Sequence, residues 1–145
     1  MNWINIFGLT IVTLMLVPNI IYAYRNKNIE NKCNSRIINI LEQIGRYGSM
    51  LLMVFNIGIF EFGFKSEKNF LVWFICTTIL LILYWSFWIL YLKTPKMLFA
   101  MLLAIIPSII FVFSGLILRH GLLAIFGIIF SFGHIFVTYQ NNKSK

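Results

Sequence analysis

The chain has 145 residues, 60% of them hydrophobic and only 11% charged, with a mean hydropathy of +0.87. A soluble domain carries charge on about a quarter of its residues, so a water-exposed globular surface is excluded. The net charge of +8 does not mark a nucleic-acid binder, because the basic residues are scattered over short connections and no soluble module presents them to a duplex.

The apolar residues fall in long blocks, which predicts an all-α polytopic membrane bundle in a single unit, residues 1–145. The first block, about 3–24, ends in Arg25 and Lys27 and has no positive charge before it. It is therefore expected to be a retained span, not a cleaved signal. A polar loop follows, and then residues 35–46 place Ile37, Leu41 and Ile44 on one helical face. That pattern predicts a short interfacial amphipathic helix, with Ser35 placed to cap it. Four further spans are expected at about 47–64, 70–92, 97–118 and 122–139. The turns at Lys93-Thr94-Pro95-Lys96 and Leu118-Arg119-His120-Gly121 are short enough to make antiparallel neighbours of the helices they join.

Orientation follows from Lys and Arg. Five spans with the N-terminus outside put Arg25, Lys27, Lys32, Arg36, Arg46, Lys93, Lys96, Lys143 and Lys145 in the cytoplasm, and only Lys65, Lys68 and Arg119 outside. Trp3 and Trp73 then fall near outer helix ends, and Tyr22, Tyr24, Tyr47, Tyr91 and Tyr139 near inner ends, as headgroup-level aromatic belts do. Abundant Ile, Phe, Asn and Lys with no Asp suggest an AT-rich, bacterial genome, and hence a bacterial cell membrane. Cys33 and Cys76 lie at different depths and form no framework.

Polar groups within the apolar blocks are costly, and they make the candidate site. His134, Asn19, Tyr22, Tyr84 and Arg46 are the candidate ligand-binding residues, all toward the cytoplasmic side of their spans. His134 and Glu42 are the candidates for acid–base chemistry, with Arg46 to hold an anionic headgroup. Pro18 frees the carbonyl of Leu14, and the Asn19 amide can answer a freed or facing carbonyl. Pro107-Ser108 offers the same kink with its own repair. Tyr84, Trp88 and Tyr91 form a stripe that suits a belt, a core or a site wall. Asn56 and Glu61 complete the polar groups, the first expected at mid-span and facing protein, the second near the outer interface. Gly45 with Ser49, Ala100 with Ala104 and Ser108, and Gly127 with Ser131 read as packing seams.

No Gly-rich phosphate loop, HExxH or paired aspartates are present, and neither metal nor cofactor is expected. The basic loop after Arg25, with its Asn and Glu, resembles that of small membrane transferases that use glutathione, but the rest of their pattern is absent. Pro18-Asn19 with Tyr22-Ala23, the run from Leu41 to Gly48, Pro107-Ser108 with Ser114-Gly115, and His134 resemble a group of small uncharacterised five-span bacterial integral membrane proteins. This resemblance covers nearly the whole chain and implies no activity. Three functions remain open: a module binding or transporting a small molecule or lipid through a cytoplasm-facing polar pocket, an inner-leaflet enzyme acting on a lipid or isoprenoid, and an accessory or immunity-type protein that binds another membrane protein. The expected partners are the bilayer and a lipid or small apolar ligand. A homodimer is also compatible with the bundle.

Overall fold

In the computed structural model, residues 3–58 and 63–143 are described. Five helices follow in chain order: α1, Ile6–Arg25; α2, Arg36–Val54; α3, Glu67–Lys93; α4, Met97–Ile117; and α5, Gly121–Asn142. Four of them, α1, α3, α4 and α5, are long and apolar enough to cross a membrane, so the chain is a helical membrane bundle. The lower end of the bundle carries the α1–α2 and α3–α4 connections; the upper end carries residues 55–58 and 63–66 and the α4–α5 turn.

The helices start where side chains satisfy their first free N–H groups. Asn5 accepts from Gly8 N–H at 3.0 Å, and Ser66 from Asn69 N–H at 3.3 Å. Ser35 stands at the α2 N-cap with its Oγ 3.5 Å from Ile38 N. His120, almost wholly buried, accepts from Leu123 N–H at 3.2 Å through Nδ1. Arg119 closes the α4–α5 turn in the left-handed conformation, at φ 54°.

The expectations for the second span need correction. The interfacial helix at 35–46 and the span at 47–64 are one helix, and it ends at Val54. Beyond that point the backbone finds partners in the N-terminal segment: Asn5 N–H donates to Val54 at 2.7 Å and Asn56 N–H to Trp3 at 3.0 Å. Those bonds replace the helical ones the chain would otherwise need in a water-poor setting. Asn56 therefore sits past the helix end and not at mid-span, while Glu61 lies outside the described residues. The helix α2 is also not apolar enough to count among the four, because Arg36, Glu42, Gln43 and Arg46 occupy its lower half.

At the centre of the bundle lies α5, packed along α2 on one side and α4 on the other, with α3 against α4. Much lighter contacts join α1 to α2 and α3. The α2–α5 contact is close because glycines make it so. A Cβ on Gly45 would stand 2.5 Å from Phe130 N, and one on Gly133 would stand 2.8 Å from Glu42 Cα. Gly115 meets Ala124 in the same way, where a Cβ would reach its backbone N at 2.5 Å. Trp73, expected at the interface, is instead fully buried and donates its indole N–H to Ser114 Oγ at 2.8 Å. A hydrogen-bond partner on α4 draws it inward, since an indole N–H left unpaired in an apolar setting is costly.

Gly45→Ala is expected to push α2 off α5 and to cost about 1–3 kcal/mol, as overpacking does. Gly127→Ala, where the nearest atom would be 3.1 Å away, is expected to cost less. Unfolding titrations in detergent micelles check the order of the two; equal losses would show that the α2–α5 crossing is not the tighter one.

Candidate functional site

One face of each of four helices converges on a cavity of about 490 Å³ at the lower end. Its walls are Asn19, Tyr22 and Asn26 of α1, Tyr84, Trp88 and Tyr91 of α3, Ala100, Leu103 and Ala104 of α4, and His134, Thr138, Asn141 and Asn142 of α5. Steps of three and four residues recur within each set, which is how a helix lines a single face. Across the mouth runs the α1–α2 connection, contributing Asn28, Ile29, Glu30 and Lys32. It is tied down where Lys32 N–H donates to Asn141 Oδ1 at 2.8 Å and Asn39 Nδ2 to the Cys33 carbonyl at 2.9 Å. The volume falls in the range of small-molecule pockets, about 300–1,000 Å³.

The cavity exists because α1 is joined to α2 at its top and to α3 along its length but does not pack along α4 or α5. At the upper end Gly8 lies directly beneath the Met53 carbonyl, where a Cβ would collide. Halfway down, Trp85 Nε1–H donates to the Leu14 carbonyl at 3.1 Å. This is the carbonyl that Pro18 deprives of its helical donor, so a neighbouring helix repairs the kink and anchors α1. Asn19 does not serve Leu14. Its Nδ2 donates to its own turn, Met15 O at 2.7 Å, and to the Tyr84 hydroxyl at 2.6 Å. Below this point Tyr22 meets Trp88 and Tyr91, with ring centroids 5.2 and 5.8 Å apart.

Behind the opposite wall lies a charged brace. The Glu42 carboxylate, almost fully buried on α2, pairs with Arg46 one turn along and accepts from Gln43 Nε2 at 3.2 Å. His134 Nδ1 sits 2.9 Å from Glu42 Oε1. Arg46 lies farther from the same nitrogen, at 3.5 Å. An ionised carboxylate can only accept, so Nδ1 carries a proton, which in the neutral imidazole leaves the lone pair on Nε2. The ring is held flat against Phe130, with centroids 4.7 Å apart and planes 17° from parallel. The side chain of His134 keeps 22% of its surface open, and the residue lines the cavity.

Four sequence candidates therefore share one cavity: Asn19, Tyr22, Tyr84 and His134. Arg46 and Glu42 do not line it. They face each other, and Glu42 supports His134 from behind, because α2 packs on the far side of α5 from the cavity. Sequence reasoning missed Asn26, Asn141, Asn142 and Thr138. The signal was present, since 134, 138, 141 and 142 share a helical face. Asn141 and Asn142 fell beyond a span expected to stop at 139, whereas α5 runs on to Asn142, and Thr138 lay within that span. Among the described residues no group of three His, Cys, Asp or Glu could hold a metal ion. The chain matches no protein-family model, no curated protein and no solved structure.

Removing one partner of a buried ion pair costs about 3–5 kcal/mol because the other charge is stranded. Arg46→Leu should therefore lower the melting temperature of the purified protein sharply. The double variant Glu42→Gln/Arg46→Leu should recover most of the loss, since a neutral amide still accepts from His134. A single variant as stable as the parent would mean that the brace carries no structural load.

Proposed function

We propose that this is a bacterial cell-membrane protein of five crossings, N-terminus outside, whose cavity opens to the cytoplasm and binds a small amphipathic molecule. The observation that carries the reading is the convergence of polar and aromatic side chains from four separate helices on one cavity of about 490 Å³. Polar side chains inside lipid are expensive and persist where they have a task. Here Asn19 is held by Met15 and Tyr84, and His134 by Glu42 and Phe130, so the lining is fixed before any ligand arrives. Pre-organisation of that kind reduces what binding must spend on ordering. The cavity serves a static binding protein or the inward-facing state of a transporter equally well.

Support for α2 as a fifth crossing comes from its pairing along α5, with 42 beside 133, 45 beside 130 and 48 beside 126. Its Glu42 and Ser49 are buried against protein, not lipid. The nine-to-three distribution of Lys and Arg supports the orientation. A second reading, an inner-leaflet enzyme acting on a lipid or isoprenoid, draws on one feature. A carboxylate that orients a histidine while the opposite ring nitrogen faces the cavity is the geometry of a general base.

Two measurements test these statements. Asn34 and Lys65 flank α2; as single cysteines in a background lacking Cys33 and Cys76, they should react differently with an impermeant maleimide on intact cells. Lys65→Cys is expected to label and Asn34→Cys only after lysis; labelling of both from outside would reduce the crossings to four. For the cavity, mass spectrometry of the protein purified in mild detergent should find a small molecule enriched over bulk lipid, and Asn19→Leu/His134→Leu should lose it. Retention of the same species by the double variant would remove the cavity from consideration.

A further inference from the structure

The inner end of the cavity is rich in hydrogen-bond acceptors. Asn19 donates to the Met15 carbonyl, which only its amide nitrogen can do. Its Oδ1 is thereby the free atom, and no described residue donates to it. His134 spends Nδ1–H on Glu42 and leaves Nε2 as a lone pair without a donor. Leu103, on the α4 wall, has a carbonyl whose helical donor is missing because Pro107 has no N–H. Ser108 does not replace that donor, since its hydroxyl bonds to Ala104 O at 2.8 Å. Against these three acceptors stand two donors, the Tyr84 hydroxyl hydrogen and the Trp88 indole N–H, which is buried without a partner among the described residues.

Charge points the same way. Around His134, α2 contributes Glu42 and Arg46, which neutralise each other, Arg46 lying 3.5 Å from Nδ1. From α3 come the Tyr84 and Tyr91 phenols, and from α1 the Tyr22 phenol. The α4 helix has no ionisable side chain, and at the mouth Glu30 accompanies Lys32. No uncompensated cation waits at the inner end for an anion. The side wall is aromatic: Tyr22, Trp88 and Tyr91 are in mutual contact at centroid distances of 5.2–5.9 Å. Rings of this kind attract organic cations.

We propose that the ligand of this cavity is a small organic ammonium ion, whose N–H groups donate to His134 Nε2 and Asn19 Oδ1 while its apolar body lies on the Tyr22–Trp88–Tyr91 wall. This rests on the reading of the cavity as a ligand site and narrows the class of molecule that enters it. Acceptor atoms of the ligand have two places to go, opposite the Tyr84 hydroxyl and the Trp88 indole N–H. The assignment fixes the sign of a pH effect. Protonation turns Nε2 from acceptor into donor and adds positive charge, so acid should expel an ammonium and favour an anion.

The test uses two probes of equal shape and opposite charge, phenethylammonium and phenylacetate. Each is titrated calorimetrically into the full-length protein in lipid nanodiscs, with empty nanodiscs as the blank. Phenethylammonium is expected to bind and phenylacetate not to. His134→Leu and Asn19→Leu should each weaken phenethylammonium by about tenfold or more, the worth of a hydrogen bond to a charged group. Lowering the pH from about 8 to about 5, the interval in which imidazoles titrate, should weaken it in the parent but not in His134→Leu. His134→Gln, with an amide acceptor, should keep part of the binding and lose its pH dependence, which separates the acceptor role from a folding defect. Preference for phenylacetate, binding of neither probe, or tighter phenethylammonium binding in acid would each overturn the ammonium assignment. The co-purification experiment decides separately whether the cavity holds a ligand at all.

Discussion

A single carboxylate, that of Glu42, is buried where α2 crosses α5, and the lower half of the bundle is organised around it. Burying an ion without partners is prohibitive, so Arg46, Gln43 and His134 must all reach it. They can do so only if α2 and α5 approach to backbone contact, which requires Gly45 opposite Phe130 and Gly133 opposite Glu42. The charge thus sets the register of the two helices, and the glycines make that register sterically attainable. With the register set, His134 is held with Nδ1 toward α2 and its ring against Phe130, in the wall of the cavity.

The opposite wall is built by a different device. In α1 the cost of Pro18 is a carbonyl with no donor, and Trp85 of α3 meets it. The same few residues fix the height of α1 against α3 through Asn19 and Tyr84. Since α1 is attached at Gly8, Leu14 and Asn19 and packs only lightly elsewhere, a gap is left beside α4 and α5. A kink that in water would be a local defect becomes here the means of joining two helices around a space. Pro107 on α4 likewise removes the helical donor of Leu103, a residue that lines the cavity.

The membrane character, the helical class, the four strongly apolar helices and the two short turns were legible in the residues, because block hydrophobicity and turn chemistry are local properties. So was the need for His134 to face protein, since an imidazole has no partner in lipid. The tight pairing of Glu42 with Arg46 was also readable, being a contact within one helix turn. Depth along each span, which follows from the 1.5 Å rise per residue, brought Asn19, Tyr22, Tyr84 and His134 to one level.

What the tertiary structure alone decided is which of those groups meet. Depth gives height but not rotation, and rotation about the axis depends on contacts between helices that are distant in sequence. Hence Arg46 faces Glu42 and not the cavity, Trp73 turns inward to Ser114, and the donor for Leu14 comes from Trp85 and not from the adjacent Asn19. The end of α2 at Val54 escaped a reading by hydrophobicity for the same reason. The residues beyond it are apolar enough to continue, but their backbone groups find better partners in the segment before α1, and a pairing between residues 3–5 and 54–56 leaves no trace in either stretch taken alone.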